Sequence, residues 1–286
     1  MPAKRPVRKA AAEAVKKSST KAAGTSAPKS AERATAAPKA AAGRMTFQDV
    51  MRTLEQLGSE QTRKAYARHG AAGPMFGVRF GDLFKLMKKI DVDHVLAREL
   101  WASGNVDARN LAMKIADPQA ITPAELDRWA VENPLQMCDL YVATLAAESP
   151  HGRAKLREWS GSSDERLLAM AWTLLGRLSD LDESFPEDEL LRRVGEIETS
   201  IHAAPNRVRS VMNRALISIG GRSPALRKAV IAAAKRIGSV TVGHGDTSCR
   251  TPDAVEAVGK IWERAGTKFP SPAAHERALG SMRRRC

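Results

Sequence analysis

The chain has 286 residues, 43% of them hydrophobic, which is enough for one large core or two small ones. Its 46 Lys and Arg outnumber 32 Asp and Glu, and the formal net charge of +14 favours a polyanionic partner. No stretch approaches the roughly 18 apolar residues of a membrane span, and three cysteines without a CxxC pair indicate a reducing compartment. We therefore expect a cytoplasmic protein without a membrane partner.

Residues 1–44 carry most of the positive charge. They hold 11 Lys and Arg against two Glu, so nine of the fourteen net charges lie there and five lie on the other 242 residues. Val7 and Val15 are the only β-branched aliphatic residues of this segment, so it cannot bury enough apolar surface to fold. We predict a disordered basic tail that tethers the protein to nucleic acid without sequence preference; a solubilising tail is the alternative.

Residues 45–286 show apolar side chains at helical spacing, with no visible domain boundary. No segment shows convincing strand alternation, since 239–242 is too short. The pattern predicts about a dozen helices in one all-α domain. The predicted helices span 47–57, 80–90, 95–101, 106–115, 126–130, 135–145, 156–159, 167–178, 190–201, 208–219, 226–237 and 255–261.

Local signals fit the ends of several of these helices. Thr122 and Glu125 form a capping-box pattern with proline between them, and Ser223-Pro and Thr251-Pro are typical of a helix start. Glycines are typical of helix ends. Those at the predicted ends are Gly58, Gly161, Gly220 and Gly221.

Two segments, DARNLAM (107–113) and DERLLAM (164–170), are near copies of each other. Such self-similarity in a helical chain indicates a repeat array, and pairs of roughly 40 residues are typical of HEAT repeats. The fold class predicted is therefore an all-α, HEAT-like solenoid with a long binding surface. Because the offset between the copies does not equal one such period, we expect an insertion or an irregular pair around 148–163.

Asp139 is the first candidate site residue. It stands alone among Met, Cys, Leu and Tyr on a helix that is otherwise apolar. One interpretation is a carboxylate that faces a ligand groove. The other is a structural acid that pairs with an arginine of the next repeat.

Basic residues at repeat positions are the next candidates. Arg109 and Arg166 occupy equivalent places in the near copies, where they either meet phosphates or pair with a neighbouring acid. A third group falls on the predicted helix 208–219 and its start, where spacing of three to four residues predicts one broad stripe. It comprises Arg207, Arg209, Asn213 and Arg214.

The segment that contains His244, Asp246 and Cys249 has the residue types of a metal site. A single His and a single Cys without partners elsewhere favour a polar loop instead. The sequence has no phosphate-binding loop, no GxSxG motif and no dinucleotide-binding glycine pattern. We expect no metal and no cofactor, and we expect the five tryptophans to lie mostly in the core.

Three segments resemble the bacterial DNA alkylation repair family. They are FGVRFGDLFKLMK (76–88), LARELWAS (96–103) and DARNLA (107–112), and the similarity extends loosely over residues 46–237. The resemblance implies a HEAT-like solenoid that holds double-stranded DNA and releases N3- or N7-alkylated purines as a DNA glycosylase in base excision repair. It also implies that Asp139 is the catalytic aspartate, which would stabilise the developing positive charge on the sugar and orient a water. The residues picked out above by repeat position and helical spacing are then expected to contact DNA: Arg109, Arg166, Arg207, Asn213 and Arg214.

The sequence departs from the family at three places. Leu135 and Arg214 stand where the family has tryptophans, and Leu167, beside Arg166, stands where it has an arginine. Two alternatives therefore remain beside the glycosylase: a non-catalytic solenoid for damaged or branched DNA, and a protein-binding scaffold. For all three we expect a monomer, associated with the nucleoid where DNA is bound.

Overall fold

The computed structural model describes residues 44–133 and 135–285; residues 1–43 of the predicted tail lie outside these ranges. Within these ranges all regular secondary structure is helical, and the all-α prediction is confirmed. None of these helices is long and apolar enough to cross a membrane. The helices are α1 Phe47–Leu57, α2 Glu60–Arg68, α3 Phe80–Ile90, α4 His94–Ala102, α5 Val106–Ile115, α6 Pro123–Glu132, α7 Asp139–Glu148, α8 Gly152–Ser160, α9 Glu165–Leu181, α10 Glu187–Ser200, α11 Asn206–Gly220, α12 Pro224–Ile237, α13 Ala254–Ala265 and α14 Pro272–Ala278, with 3₁₀ helices at Gln136–Cys138 and Met282–Arg284.

The helices form two rows. In the first row α3, α5, α7, α9, α11 and α13 follow one another, and each contacts the next. The second row is made of α4, α6, α8, α10 and α12, each packed on the odd-numbered helix that follows it in the chain. The repeating unit is thus a pair, from α4–α5 to α12–α13, as expected for a helical repeat array.

The repeat period is shorter than the sequence predicted. The first three pairs begin at His94, Pro123 and Gly152, in two equal steps along the chain, and the next two begin at Glu187 and Pro224. The two near copies lie at the starts of α5 and α9, two pairs apart, so their offset is close to two such steps. The insertion expected around residues 148–163 is wrong, because that segment forms α8, a regular member of the array.

Two predicted helix starts are confirmed by their hydrogen bonds. Thr122 Oγ1 accepts from the Glu125 backbone N–H at 3.2 Å, and the Glu125 carboxylate accepts from the Thr122 N–H at 2.9 Å. Ser223 Oγ accepts from the Leu226 N–H, with proline in the first helical turn. These caps satisfy backbone donors that a helix start leaves unpaired.

Other predicted boundaries were wrong. Helix α13 does not start at Thr251-Pro; it starts at Ala254, because Asp253 provides the cap and accepts from the Glu256 N–H at 2.8 Å. The predicted helix 135–145 is divided between a 3₁₀ helix and α7. Two helices, α2 and α14, were missed. Both are short, and α2 buries only Thr62 and Tyr66, too few side chains for a helical period.

The aspartates of the near copies have different roles. Both oxygens of the buried Asp107 accept backbone N–H groups, from Phe76 at 2.7 Å, Gly77 at 2.9 Å and Val78 at 2.8 Å. Gly77 has a φ of +80°, where a side chain is strained, and an added Cβ would lie 2.5 Å from a carbonyl oxygen. Asp164 instead caps α9 at its own N-terminus. Asp107 therefore fixes the loop before α3.

Tryptophans occupy the core, as the sequence predicted. Trp101 and Trp129 stack with ring centroids 4.3 Å apart, and both are fully buried. Trp159 and Trp172 are buried too, whereas Trp262 is partly buried. Rings of this size fill the space between successive pairs.

The C-terminal segment 281–285 lies against α5 and α7. Arg283 is 1% exposed and donates to the carbonyls of Met113 at 2.9 Å and Lys114 at 3.0 Å. It also forms a 2.8 Å ion pair with Glu148. This buried guanidinium joins residues that are 169 to 170 positions apart.

Candidate nucleic-acid interface

A cleft of about 760 Å³ opens on the row of odd-numbered helices. Its floor is formed by residues 136–140 around the start of α7, residues 172–177 of α9 and residues 206–218 on α11. One part of the wall is residues 68–70 at the end of α2, and another is the loop 242–249. The cleft therefore brings together segments that are distant in sequence.

Asp139 lies in this cleft and is 3% exposed. Its Oδ1 accepts from Asn133 Nδ2 at 2.7 Å, and its Oδ2 accepts from Arg207 at 2.6 Å. Burial raises the pKa of this carboxyl, while Arg207, Asn133 and, more distantly, Arg166 act in the opposite direction. An arginine does pair with Asp139, as in the structural alternative, but it lies two pairs further along the array and not in the next repeat.

The arginines of the near copies meet at the C-terminus of α6. Arg109 donates to the Glu132 carbonyl at 2.8 Å, and Arg166 donates to the Val131 carbonyl at 2.6 Å. Cations are favoured at this end of a helix, where carbonyls have no partner within it. Asn133, the next residue, holds Asp139. The two arginines therefore hold the end of α6, and through it Asn133, in position beside Asp139.

Arg109 is further committed to the protein. Its guanidinium pairs with the Glu132 carboxylate at 3.1 Å, donates to the Trp101 carbonyl and lies over the Trp101 ring. Its side chain is only 17% exposed, and burial lowers the pKa of the guanidinium. These contacts match the structural alternative for Arg109, and this residue is not part of the cleft wall. Arg166 is exposed but likewise lies outside that wall.

The stripe expected on α11 is divided between two faces. An α-helix turns about 100° per residue, so Arg207 and Arg214 differ by about 20° and share a face. Arg209 and Asn213 lie about 200° and 240° from Arg207 and point the other way. The structure agrees, because Arg207 and Arg214 line the cleft and the other two do not.

The opposite face of α11 anchors the chain that follows α12. Arg209 donates to the Thr241 carbonyl at 2.9 Å, and Asn213, which is 1% exposed, donates to the Pro252 carbonyl at 2.9 Å. Asn213 was predicted to contact DNA, but in this structure its amide is buried, already paired and turned away from the cleft. Helical arithmetic alone could have separated these residues.

Two arginines in the cleft have no hydrogen bond or ion pair within residues 44–133 and 135–285. These are Arg214, which is exposed on α11, and Arg68, which is exposed at the end of α2. Sequence reasoning missed Arg68 because it missed α2. Arg177 also lines the cleft, but it forms a 2.6 Å ion pair with the buried Asp180. Unpaired cations in a cleft are the groups that phosphates require.

The loop that contains His244 is pinned by hydrogen bonds. The side-chain amide of Asn206 donates to the Gly243 carbonyl at 2.9 Å and accepts from its N–H at 2.7 Å. The His244 ring bonds Thr251 Oγ1 at 3.0 Å. Across the described ranges, no three His, Cys, Asp or Glu residues are grouped to hold a metal. The polar loop forms a wall of the cleft.

A sequence model described as the DNA alkylation repair enzyme family matches residues 50–256. The chain belongs to this family. Two uncharacterised proteins, one of Listeria innocua and one of Listeria monocytogenes, are 28% and 27% identical over 227 residues, which is 77% of this chain and 99% of each relative. The resemblance inferred from residues 46–237 is confirmed.

A solved structure is similar to this member of the DNA alkylation repair family. It is described as belonging to a new family of proteins related to the HEAT-like repeat DNA glycosylases, with affinity for branched DNA structures. The TM-score is 0.70 and the identity 32%, over 80% of this chain and 98% of that chain. The HEAT-like fold predicted from the near copies is thereby confirmed.

The family member described here differs in its cleft from what the resemblance implied. Leu135, at the first expected tryptophan position, is fully buried and does not line the cleft. Arg214, at the second, puts a cation there instead of an aromatic ring. Trp172 borders the cleft but is 5% exposed. The surface offered to a ligand is cationic and only weakly aromatic.

Proposed function

We propose that this protein binds branched DNA in the cleft and does so without breaking a glycosidic bond. The observation that carries the proposal is the contrast between the cleft's charges. Arg68 and Arg214 face the cleft unpaired within the described ranges, whereas both oxygens of Asp139 are held by Asn133 and Arg207. The cations are available to a ligand, and the acid is committed to the protein.

Unpaired arginines suit DNA because phosphates carry one charge per nucleotide. Each phosphate that is neutralised releases condensed counterions, and binding becomes strongly salt-dependent. Arg68 and Arg214 lie on different helices that border one cleft, so they can bind phosphates that reach it from different directions. Branched DNA brings phosphates from more than one duplex arm to a single point.

Asp139 is poorly suited to catalyse cleavage of a glycosidic bond. N3- or N7-alkylation makes the base cationic, so it departs as a neutral base with the electron pair of the glycosidic bond. The positive charge passes to the sugar, where the enzyme must stabilise it with a carboxylate. Here Arg207, 2.6 Å from Oδ2, offsets that negative charge, and Leu135 supplies no exposed ring. A ligand would have to displace Arg207 before it met the acid.

The relative described as having affinity for branched DNA supports the same proposal. It is 32% identical and covers most of this chain. We extend to this protein the preference for branched over linear duplex DNA. That it acts as a monomer on nucleoid DNA in the cytoplasm remains a prediction from the sequence, and the protein-binding scaffold remains the rival.

The second candidate is release of N3- or N7-alkylated purines from double-stranded DNA. It is favoured by one observation, the place of Asp139 on the cleft floor at the start of α7. If the wild-type protein releases 7-methylguanine from methylated DNA, Asp139→Asn should abolish release and leave binding intact.

Affinity for a four-way junction and for a linear duplex of the same sequence tests the proposal. We expect the wild type to prefer the junction by about tenfold, equal to about 1.4 kcal/mol, and to release no 7-methylguanine. Equal affinity for both DNAs, or release of the base, would contradict it. A variant without residues 1–43 should retain the preference. If that deletion abolished all DNA binding, the scaffold alternative would be favoured.

A further inference from the structure

Met137 is an exposed apolar side chain inside a cationic cleft. It is 48% exposed, and among the large hydrophobic side chains exposed in the described ranges it is the one that borders the cleft. The others lie elsewhere on the surface. They are Leu57, Val92, Val95, Leu191 and Leu279.

The backbone holds Met137 outward. In a 3₁₀ helix, residues three apart lie on the same side, so the buried Leu135 and Cys138 face the core together. Gln136 and Met137 between them must then face the cleft, and both line it. The exposure of Met137 follows from the local fold and is not a loose side chain at a chain end.

Hydrogen bonds make this 3₁₀ turn rigid. The Cys138 N–H donates to the Leu135 carbonyl at 2.7 Å, and the Asn133 amide donates to the same carbonyl at 3.1 Å. The Cys138 thiol bonds the Asn110 side chain at 2.8 Å. The same Asn133 amide also holds Asp139, so the turn is tied to the site.

The surroundings of Met137 indicate what it meets. The cleft around it carries Arg68 and Arg214, which have no partner within the described ranges, so an apolar lipid or an uncharged peptide would leave both cations unpaired. A nucleotide satisfies both requirements, because its phosphate meets arginine and its base has an apolar face. Methionine is unbranched and polarisable, packs well on aromatic faces, and is among the side chains that wedge between base steps.

We infer that Met137 stacks on the base exposed at a DNA branch point and so gives the cleft its preference for branched over linear DNA. The inference rests on the proposed function. In a linear duplex each base face is already covered by its neighbours, and exposing one costs unstacking energy. At a junction whose arms are not stacked on one another, the base pair at the branch point already has an uncovered face, so this cost is much smaller. Met137 therefore favours the junction, while the arginines bind either DNA.

The test compares Met137→Ala with two controls in the full chain. Met137→Leu keeps an apolar side chain in place, and Leu279→Ala removes an equally exposed apolar side chain away from the cleft. Fluorescence anisotropy measures the affinity of each variant for a four-way junction and for the matched duplex. A 2-aminopurine at the branch point reports stacking on that base.

We expect Met137→Ala to lose up to about tenfold in junction affinity, the upper end of the range for a methionine packed on an aromatic face, with duplex affinity unchanged. The 2-aminopurine signal should change on binding of wild type and of Met137→Leu, and much less for Met137→Ala. Leu279→Ala should behave as wild type.

The outcomes separate the two proposals. If the wild type prefers the junction and Met137→Ala keeps both that preference and the 2-aminopurine response, this inference is overturned and the proposed function stands. An equal loss for junction and duplex also overturns it, because it would report a general binding defect. If the wild type shows no preference for the junction, the proposed function fails, and this inference fails with it.

Discussion

Arg207 donates a 2.6 Å hydrogen bond to Asp139 across 68 positions of sequence. The bond joins the first turn of α11 to the first residue of α7, while α9 packs between these helices. An ion pair that spans three helices of the array fixes the floor of the cleft. It also makes the floor sensitive to the loss of either charge.

Arg207→Ala should therefore be strongly destabilising. It leaves the buried Asp139 carboxylate without its cation, a change that costs about 3–5 kcal/mol in buried pairs. Asp139→Asn should cost much less, because the amide keeps hydrogen bonds to its neighbours and removes the buried charge. Urea unfolding of both variants and of the double variant measures the coupling between the two residues. If the stability losses of the two single variants add up to that of the double variant, the coupling energy of the pair is zero.

Arg214→Ala should weaken DNA binding without affecting the fold. Its guanidinium has no partner in the described ranges, so its loss removes one phosphate contact and lowers the salt dependence of log Kd by about one unit. Arg192→Ala is the matched control, because Arg192 is exposed on α10 outside the cleft. Affinity titrations at several salt concentrations give the slopes. Identical slopes for the two variants would place the DNA elsewhere.

Asp107→Asn should destabilise the protein by about 3 kcal/mol, since a buried carboxylate that accepts three N–H groups is replaced by an amide with one acceptor oxygen. Asp164→Asn is a natural control at the matching position of the near copy. Asp164 only caps α9, and asparagine is as good a cap as aspartate, so we expect a change of a few tenths of a kcal/mol. Thermal and urea unfolding distinguish the two variants. Similar losses of stability would contradict the role of Asp107 in fixing the loop before α3.

Asp180 should make stability depend on pH. Burial raises its pKa to about 6, outweighing the adjacent Arg177, so the folded protein binds this proton more tightly than the unfolded chain does. The contribution of Asp180 to stability therefore falls as pH rises from about 4 to about 6 and is constant above that window. Asp180→Asn should remove this dependence, as measured by urea unfolding across the window.

Asp182 provides a control of opposite sign for that measurement. Its pKa is lowered, chiefly by the hydrogen bond from Arg153, so its stabilising contribution is present at neutral pH and is lost as pH falls through the folded-state pKa. Asp182→Asn should thus destabilise the protein at pH 7 and remove a loss at low pH. If both variants changed the pH profile in the same direction, the assignments would be wrong.

Helices and caps were predictable because they depend on local pattern. The Thr122 capping box needs residues three apart, and the periodicity of α5 is visible in ten residues. Asp139 was singled out for a local reason too, as an acid in an apolar helix. These features lie within one or two turns of chain, where residue type dictates geometry.

Other parts of the site depend on contacts that no local pattern records. The Arg207–Asp139 pair joins two helices that are not adjacent in sequence, and Arg68 lies on a helix with hardly any apolar period. The near copies led to a wrong repeat period. They lie two regular pairs apart in the array, whereas the sequence analysis took their offset as one pair with an insertion. Met137 faces outward because of a 3₁₀ turn inside what was predicted as continuous helix.

The buried Arg283 gives the array a property that stacked repeats normally lack. In an open series each unit touches only its neighbours, so ends fray first and units can be added or removed. Here Arg283, near the end of the described ranges, donates to carbonyls on the second helix of the first pair, at Met113 and Lys114. The first pair and the C-terminal segment 281–285 should therefore unfold together, in a single thermal transition. Inserting a copy of a pair between them should break the contacts of Arg283 with α5.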